Sequence, residues 1–148
     1  MAGVLLATLH VGMGVVPPPT DTVALTSAPP WSATGELYVY KADPLAPGLR
    51  NPVLVAEGFD AENSMDWEVL YALLNEQGLV DEMIAFGRDL LVLNFGDSTA
   101  DIFANAALTQ SALAYVNAHR ADAADKFVAV GVSLGGLTLR KALVDTPG

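Results

Sequence analysis

Residues 127–136 read "FVAVGVSLGG", an apolar run that leads directly into a serine flanked by glycines. The pattern Gly-x-Ser-x-Gly is formed by Gly131, Ser133 and Gly135. Because an amphipathic stretch, "LGGLTLRKALVD" (134–145), follows at once, the serine is predicted to stand on a turn from a buried strand to a helix. Such a turn projects the hydroxyl above the edge of a sheet, and it needs small residues where neighbouring backbone passes close by.

Further strands are predicted on the amino-terminal side of this turn. "GELYVYKAD" (35–43) has the Tyr and Val content of a strand. Continuous apolar runs predict strands covered on both faces at "VLVAEGF" (53–59), "DLLVLNF" (89–95) and "KFVAVGV" (126–132).

Helical patterns separate these runs. After residue 59, Asn63 and Ser64 are candidate caps for a helix with its apolar face on Trp67, Leu70, Tyr71 and Leu74. "LVDEMIAF" predicts a second short helix, and a third runs to about His119. The alternation predicts an α/β fold: a doubly wound, mostly parallel sheet with helices on both faces.

The first 30 residues are apolar and rich in proline, and they are predicted to be a leader or linker before a domain over 31–148. The opening "MAGVLLATLHVGMGVVPPP" is too short to span a bilayer and lacks the basic start of a standard export signal. An altered export signal, a strand and a disordered arm all remain open for it, so no cellular compartment is assigned.

Composition excludes several classes of function. The 148 residues carry a net charge of −10 with a pI near 4.3, which argues against nucleic acid as a partner. Cysteine is absent, so thiolate metal sites and a cysteine nucleophile are excluded. The acidic residues show no metal-ligand spacing, and neither a metal nor a cofactor is predicted.

The turn resembles the nucleophile elbow of the α/β-hydrolase superfamily, in its esterase and lipase branches. "PVLVAEGFD" (52–60) looks like the strand and His-Gly-x turn of that family, with Glu57 where His is usual. The resemblance implies that Ser133 is the nucleophile and that the backbone N–H groups of Phe59 and Leu134 form the oxyanion hole. It also implies that "VLVA" lies beside "FVAVGV" in the sheet.

The base that such a serine needs is not evident. The chain has only His10, in the leader, and His119, which ends a helix predicted to run to the opposite edge of the sheet. In the family the acid and then the histidine follow the serine, but only Asp145 does so here. The sequence is therefore predicted to be the amino-terminal part of an α/β-hydrolase domain, truncated after the elbow helix, with the strand before Ser133 as an unpaired edge.

Three functions stay open on these residues. The first is a serine hydrolase acting on small-molecule or lipid carboxylic esters, nearly inactive without its base. The second is an acyltransferase or thioesterase on the same scaffold, and the third is a non-catalytic module. Asp97 and Asp101 follow "LLVLNF"; they are expected to belong to a loop that caps the next helix, with a substrate or ion role as the alternative.

Overall fold

Within residues 15–145, the part of the chain that the computed structural model describes, five strands form one sheet and four helices pack against it. The strands are β1 (Asp21–Thr26), β2 (Thr34–Tyr40), β3 (Val53–Ala56), β4 (Leu90–Phe95) and β5 (Val128–Gly131). The helices are α1 (Trp67–Leu74), α2 (Leu79–Ala85), α3 (Ile102–His119) and α4 (Leu134–Asp145). None of these helices is long and apolar enough to cross a bilayer.

The strand order is β1-β2-β4-β3-β5. β3 pairs in parallel with both β4 and β5, whereas β2 pairs antiparallel with β1 and β4. The predicted α/β architecture is confirmed, and so is the position of β3 between β4 and β5. Since parallel strands end at the same edge of a sheet, the loops after β3, β4 and β5 meet there.

β1 lies inside the segment predicted to be a leader or linker. Asp21 pairs with Val39 and Thr26 with Thr34, so the strand is a full edge of the sheet. Val23 and Leu25 pack on the core, two residues apart on one covered face. For residues 21–26 the linker interpretation is therefore wrong. The prolines on both sides of this short strand favour a connection, and its own composition does not reveal the pairing with β2. Residues 1–14, which include His10, lie outside the described residues.

The sheet has an apolar core on each face, as the alternation of its strands requires. One core joins alternate residues of β2, β3 and β4 to α3 and α4, with Leu54, Leu93 and Leu108 fully buried. The other joins the intervening residues to α1 and α2, around Val80 and Val92. The predicted placement of helices on both faces is confirmed.

β5 forms the second edge of the sheet, and it differs from the other parallel strands in its exposure. Val128 and Val130 are 49% and 43% exposed, whereas every residue of β3 is buried. The predicted edge is thus confirmed, but the burial predicted for this strand on both faces is wrong. Neither α1 nor α2 extends across the face on which these two valines lie.

The first helix begins later than its candidate caps suggested. Asp66, rather than Asn63 or Ser64, is the cap, and its side chain accepts a hydrogen bond from the N–H of Val69 (3.0 Å). Asn63 instead has a positive φ of 49° in the preceding loop. The longer loop brings residues 57–65 over the carboxyl ends of β3 and β4.

Candidate active site

Ser133 stands in a backbone conformation that is unfavourable for a residue with a side chain. Its φ is +50°, in the left-handed region, which costs about 1–2 kcal/mol for an L-residue. The turn is closed by hydrogen bonds from the N–H of Gly135 to Val132 O (2.8 Å) and from the N–H of Gly136 to Ser133 O (3.0 Å). The side chain lies exposed between the end of β5 and the start of α4.

The two glycines of the motif are imposed by packing. A Cβ atom on Gly131 would lie 2.4 Å from the Cα of Gly136, inside the turn itself. A Cβ on Gly135 would lie 2.3 Å from the carbonyl oxygens of both Ala56 and Glu57, at the end of β3. Because these contacts are with backbone, no side-chain rotation could relieve them.

The loop that follows β3 lies against the elbow. Val132 donates its N–H to Ala56 O (3.0 Å), and a Cβ on Gly58 would lie 3.5 Å from the Cβ of Ser133. Phe59 comes next in the chain and lines the same cavity as Ser133. Leu134 is the first residue of α4, where N–H groups have no partner within the helix. Sequence reasoning assigned these two N–H groups to an oxyanion hole, and that role stays a prediction.

A pair of buried hydrogen bonds between Ser98 and Asp60, called the clasp below, holds the loop after β3 against the loop after β4. The Ser98 hydroxyl donates to Asp60 O (2.6 Å) and accepts from Asp60 N (2.8 Å), and both residues are buried. The Asp60 carboxylate accepts the N–H of Met65 (2.7 Å), and this bond holds the pKa of Asp60 below its ordinary value. Sequence reasoning missed both residues, since the bond joins loops 38 positions apart; only the predicted meeting of the two loops at one edge could have suggested it.

The Glu57 side chain forms a hydrogen bond to β4 directly after the end of β3. The strand ends at Ala56, and the Glu57 carboxylate then accepts the N–H of Phe95 in β4 (2.6 Å). Its other oxygen is buried and has no partner among the described residues, and the side chain is only 3% exposed. Burial raises the pKa of Glu57 to about 7, which outweighs the lowering effect of the Phe95 bond. The residue thus ties the loop to β4.

A mostly apolar cavity of about 230 Å³ opens beside Ser133. Phe59 and Val132 flank the serine, and leucines of α1, including Leu70 and Leu73, form the opposite wall. Glu57 is the one ionisable side chain among the described residues that line it. The cavity would accept an apolar group whose polar end lies at the Ser133 hydroxyl.

Neither His119 nor Asp145 can serve Ser133. Leu49 donates its N–H to His119 O (2.7 Å), which places this histidine where the chain enters β3, at the opposite end of the strands. Asp145 ends α4 and pairs with Lys141 one turn earlier. With a rise of about 1.5 Å per residue, the length of α4 separates Asp145 from the serine. The predicted placement of His119 is confirmed.

Asp97 and Asp101 belong to the loop between β4 and α3. Asp97 accepts hydrogen bonds from the N–H and hydroxyl of Thr99 (2.8 and 2.6 Å), which keep the pKa of Asp97 below its ordinary value. Asp101 caps α3 by accepting the N–H of Phe103 (2.7 Å). The expected capping role is confirmed. Across residues 15–145, no group of three or more His, Asp or Glu side chains could hold a metal ion.

Comparison with solved structures shows that the fold is similar to that of α/β hydrolases. A structure of DcsB in complex with its substrate analogue matches with a TM-score of 0.59 and 14% identity. The esterase Pf2001 of Pyrococcus furiosus matches with 0.56 and 12%, and XC6422 of Xanthomonas campestris, an α/β serine hydrolase without a lid, with 0.50 and 16%. Each match covers 85% of this chain.

The fold is therefore α/β-hydrolase-like. The chain spans 41%, 46% and 57% of the three matched chains, in the order given above. No protein-family model and no curated protein sequence matches it. At identities this low, the similarity defines the scaffold alone.

Proposed function

We propose that residues 21–148 are the nucleophile-bearing, amino-terminal part of a serine hydrolase that acts on carboxylic esters. The observation that carries the proposal is the strained φ of Ser133 on a strand-to-helix turn beside the Gly58–Phe59 loop. Strain of this kind persists where surrounding structure enforces it, and it is concentrated at functional sites. The hydrolase-like scaffold of the structural neighbours supports the same reaction class.

In this proposal the Ser133 hydroxyl attacks the acyl carbon of an ester and passes its proton to a base. The N–H groups of Phe59 and Leu134 stabilise the negative oxygen of the tetrahedral intermediate. The intermediate collapses to an acyl-serine as the alcohol leaves with a proton, and water then releases the acid. The base and its orienting acid come from polypeptide outside residues 15–145.

The cavity beside Ser133 supports an apolar acyl group in the substrate. Its lining is dominated by Leu, Val, Phe and Met side chains, which favour a hydrocarbon chain over a sugar or a charged group. The same cavity would also accept the acyl chain of a thioester, so the thioesterase and acyltransferase alternatives are separated by assay rather than by shape.

The test begins with the DNA that follows the codon of Gly148. The complete reading frame is expressed and assayed with p-nitrophenyl esters of increasing acyl length, with an acyl thioester, and with an added alcohol acceptor. Ser133→Ala is expected to lower ester hydrolysis by about a thousandfold or more. Ser32→Ala, which removes an exposed hydroxyl from another loop, is the matched control and is expected to leave the rate unchanged.

Covalent labelling gives the second measurement. A fluorophosphonate is expected to add to the wild-type protein at Ser133 and to leave Ser133→Ala unmodified. Full esterase activity in Ser133→Ala would refute the proposal. Absence of both labelling and turnover in the complete wild-type protein would establish the non-catalytic alternative.

A further inference from the structure

A second cavity, of about 350 Å³, lies at the same edge of the sheet and shares no residue with the cavity beside Ser133. It is bounded by the loop between β1 and β2 and by the loop from β4 into α3. Its place over β2 and β4 sets it about two strand spacings, roughly 10 Å, from the strand that leads to Ser133. It is therefore not part of the proposed catalytic site.

The lining of this cavity is negative. Asp97 and Asp101 both contribute to it, and none of its described lining residues is Lys, Arg or His. One oxygen of each carboxylate is used within the loop, by Thr99 and by Phe103. Both side chains are exposed, so each carboxylate presents an anionic acceptor to a ligand in the cavity.

The side-chain oxygen of a buried asparagine at this cavity has no hydrogen-bond donor among the described residues. Asn105 lines the cavity, is 1% exposed, and donates from Nδ2 to Asp97 O (3.0 Å). Its Oδ1 is buried and has no partner among the described residues. A buried acceptor without a partner destabilises the protein, and a ligand N–H group would supply the missing hydrogen bond.

An aromatic ring completes the site. Trp31 lines the cavity and is 38% exposed. The ring is fixed by stacking on Phe103, with centroids 6.4 Å apart and planes at 13°. An indole face attracts cations, and it does so more strongly where water is partly excluded.

We propose that this cavity binds a small organic molecule through a primary ammonium or guanidinium group. The two carboxylates would neutralise its charge, Trp31 would cover its apolar part, and Asn105 Oδ1 would accept one of its N–H groups. A metal ion is disfavoured because no cluster of three or more acidic or histidine ligands exists within residues 15–145. The overall charge of −10 would also attract a cationic ligand towards the protein.

The test uses the 148-residue chain with Trp67→Phe, which leaves Trp31 as its single tryptophan. Butylammonium and butylguanidinium are titrated at about 0.15 M salt, where the Debye length is about 8 Å and distant charges are screened. Binding is followed by Trp31 fluorescence and by amide chemical shifts. 1-Butanol tests the need for charge, and tetramethylammonium tests the need for an N–H donor.

Both cations with N–H groups are expected to bind and to shift the amides of residues 97–105. Asp97→Asn and Asp101→Asn retain an oxygen acceptor for the loop, and each is expected to weaken binding about fivefold or more. Asp122→Asn is the matched control: Asp122 makes a similar turn, accepting the N–H of Ala124 (2.8 Å), and the charge change is identical. If Asp97→Asn and Asp122→Asn weakened cation binding equally, the effect would be due to the overall charge of the protein rather than to this cavity, and the proposal would be overturned. Equal affinity for tetramethylammonium, or no binding at all, would do the same.

Discussion

Replacement of Gly135 by alanine tests whether the elbow is held by backbone contact with β3. The new Cβ would lie 2.3 Å from the oxygens of Ala56 and Glu57, whereas real Cβ atoms essentially never come within 3.0 Å of another atom. Helix α4 would have to move away by about 0.7 Å or more, against the packing of Leu139 and Ala142. Because both clashing atoms are backbone, we expect a loss at the upper end of overpacking effects, about 3 kcal/mol.

The measurement is the free energy of unfolding in urea, followed by circular dichroism. Gly136→Ala is the matched control one residue further on, because its Cβ would meet Gly131 O at 3.4 Å, an ordinary contact. Alanine has the higher helix propensity, so this variant is expected to be unchanged or stabilised by up to about 1 kcal/mol. If Gly135→Ala lost less than about 1 kcal/mol, or the two variants were equally stable, the packing argument would be refuted.

Three further predictions concern the same edge of the sheet. Glu57 keeps its proton to about pH 7 when folded but only to about its ordinary 4.5 when unfolded, so its contribution to stability falls as pH rises between these values. At about 1.4 kcal/mol per pKa unit this amounts to about 3–4 kcal/mol. Glu57→Gln, which still accepts the Phe95 N–H, should abolish that fall in urea titrations from about pH 4 to about pH 8. Ser133→Gly should be more stable than Ser133→Ala by about 1 kcal/mol in urea unfolding, because glycine tolerates the positive φ. Ser98→Ala should cost about 2 kcal/mol and speed hydrogen exchange at the amides of Phe59 and Asp60, because one hydroxyl serves both backbone groups of Asp60.

Each of these predictions has a result that contradicts it. If the free energy of unfolding of Glu57→Gln depended on pH as in the wild type, the Glu57 carboxyl would not be the group whose proton stabilises the fold. Equal stability of the two Ser133 variants would mean that the elbow relaxes when the hydroxyl is lost. Slow exchange at Phe59 in Ser98→Ala would show that Glu57 alone is enough to hold the loop.

The parts of the fold that the sequence predicted are those whose signal is local. The runs that became β3 and β4 are continuous and apolar because both of their faces are covered, and the elbow needs its two glycines within five residues. The order of β4, β3 and β5 followed from the resemblance to a known family. The apolar runs and the turn thus depend on residues close together in the chain, whereas the strand order does not.

The parts that were missed depend on pairing across the chain. β1 is identified by its ladder to β2 rather than by its own composition, and the clasp of Ser98 on Asp60 joins two loops of different βα units. The role of Glu57 depends on where β3 stops relative to Phe95, which no local pattern specifies. The exposure of β5 on one face likewise follows from which helices extend that far.

The elbow is fully formed although β5 has a neighbour on only one side. Its restraints all come from that side and from α4: Val132 donates to Ala56 O, Gly135 packs on the same carbonyl, and α4 is held by Leu139 and Ala142 in the core. A further strand beside β5 would add nothing to these contacts. The strained serine and the loop of Phe59 are therefore held by contacts within residues 21–145, whereas neither His119 nor Asp145 reaches Ser133. The backbone geometry of the turn at Ser133 therefore does not depend on a histidine partner within residues 15–145.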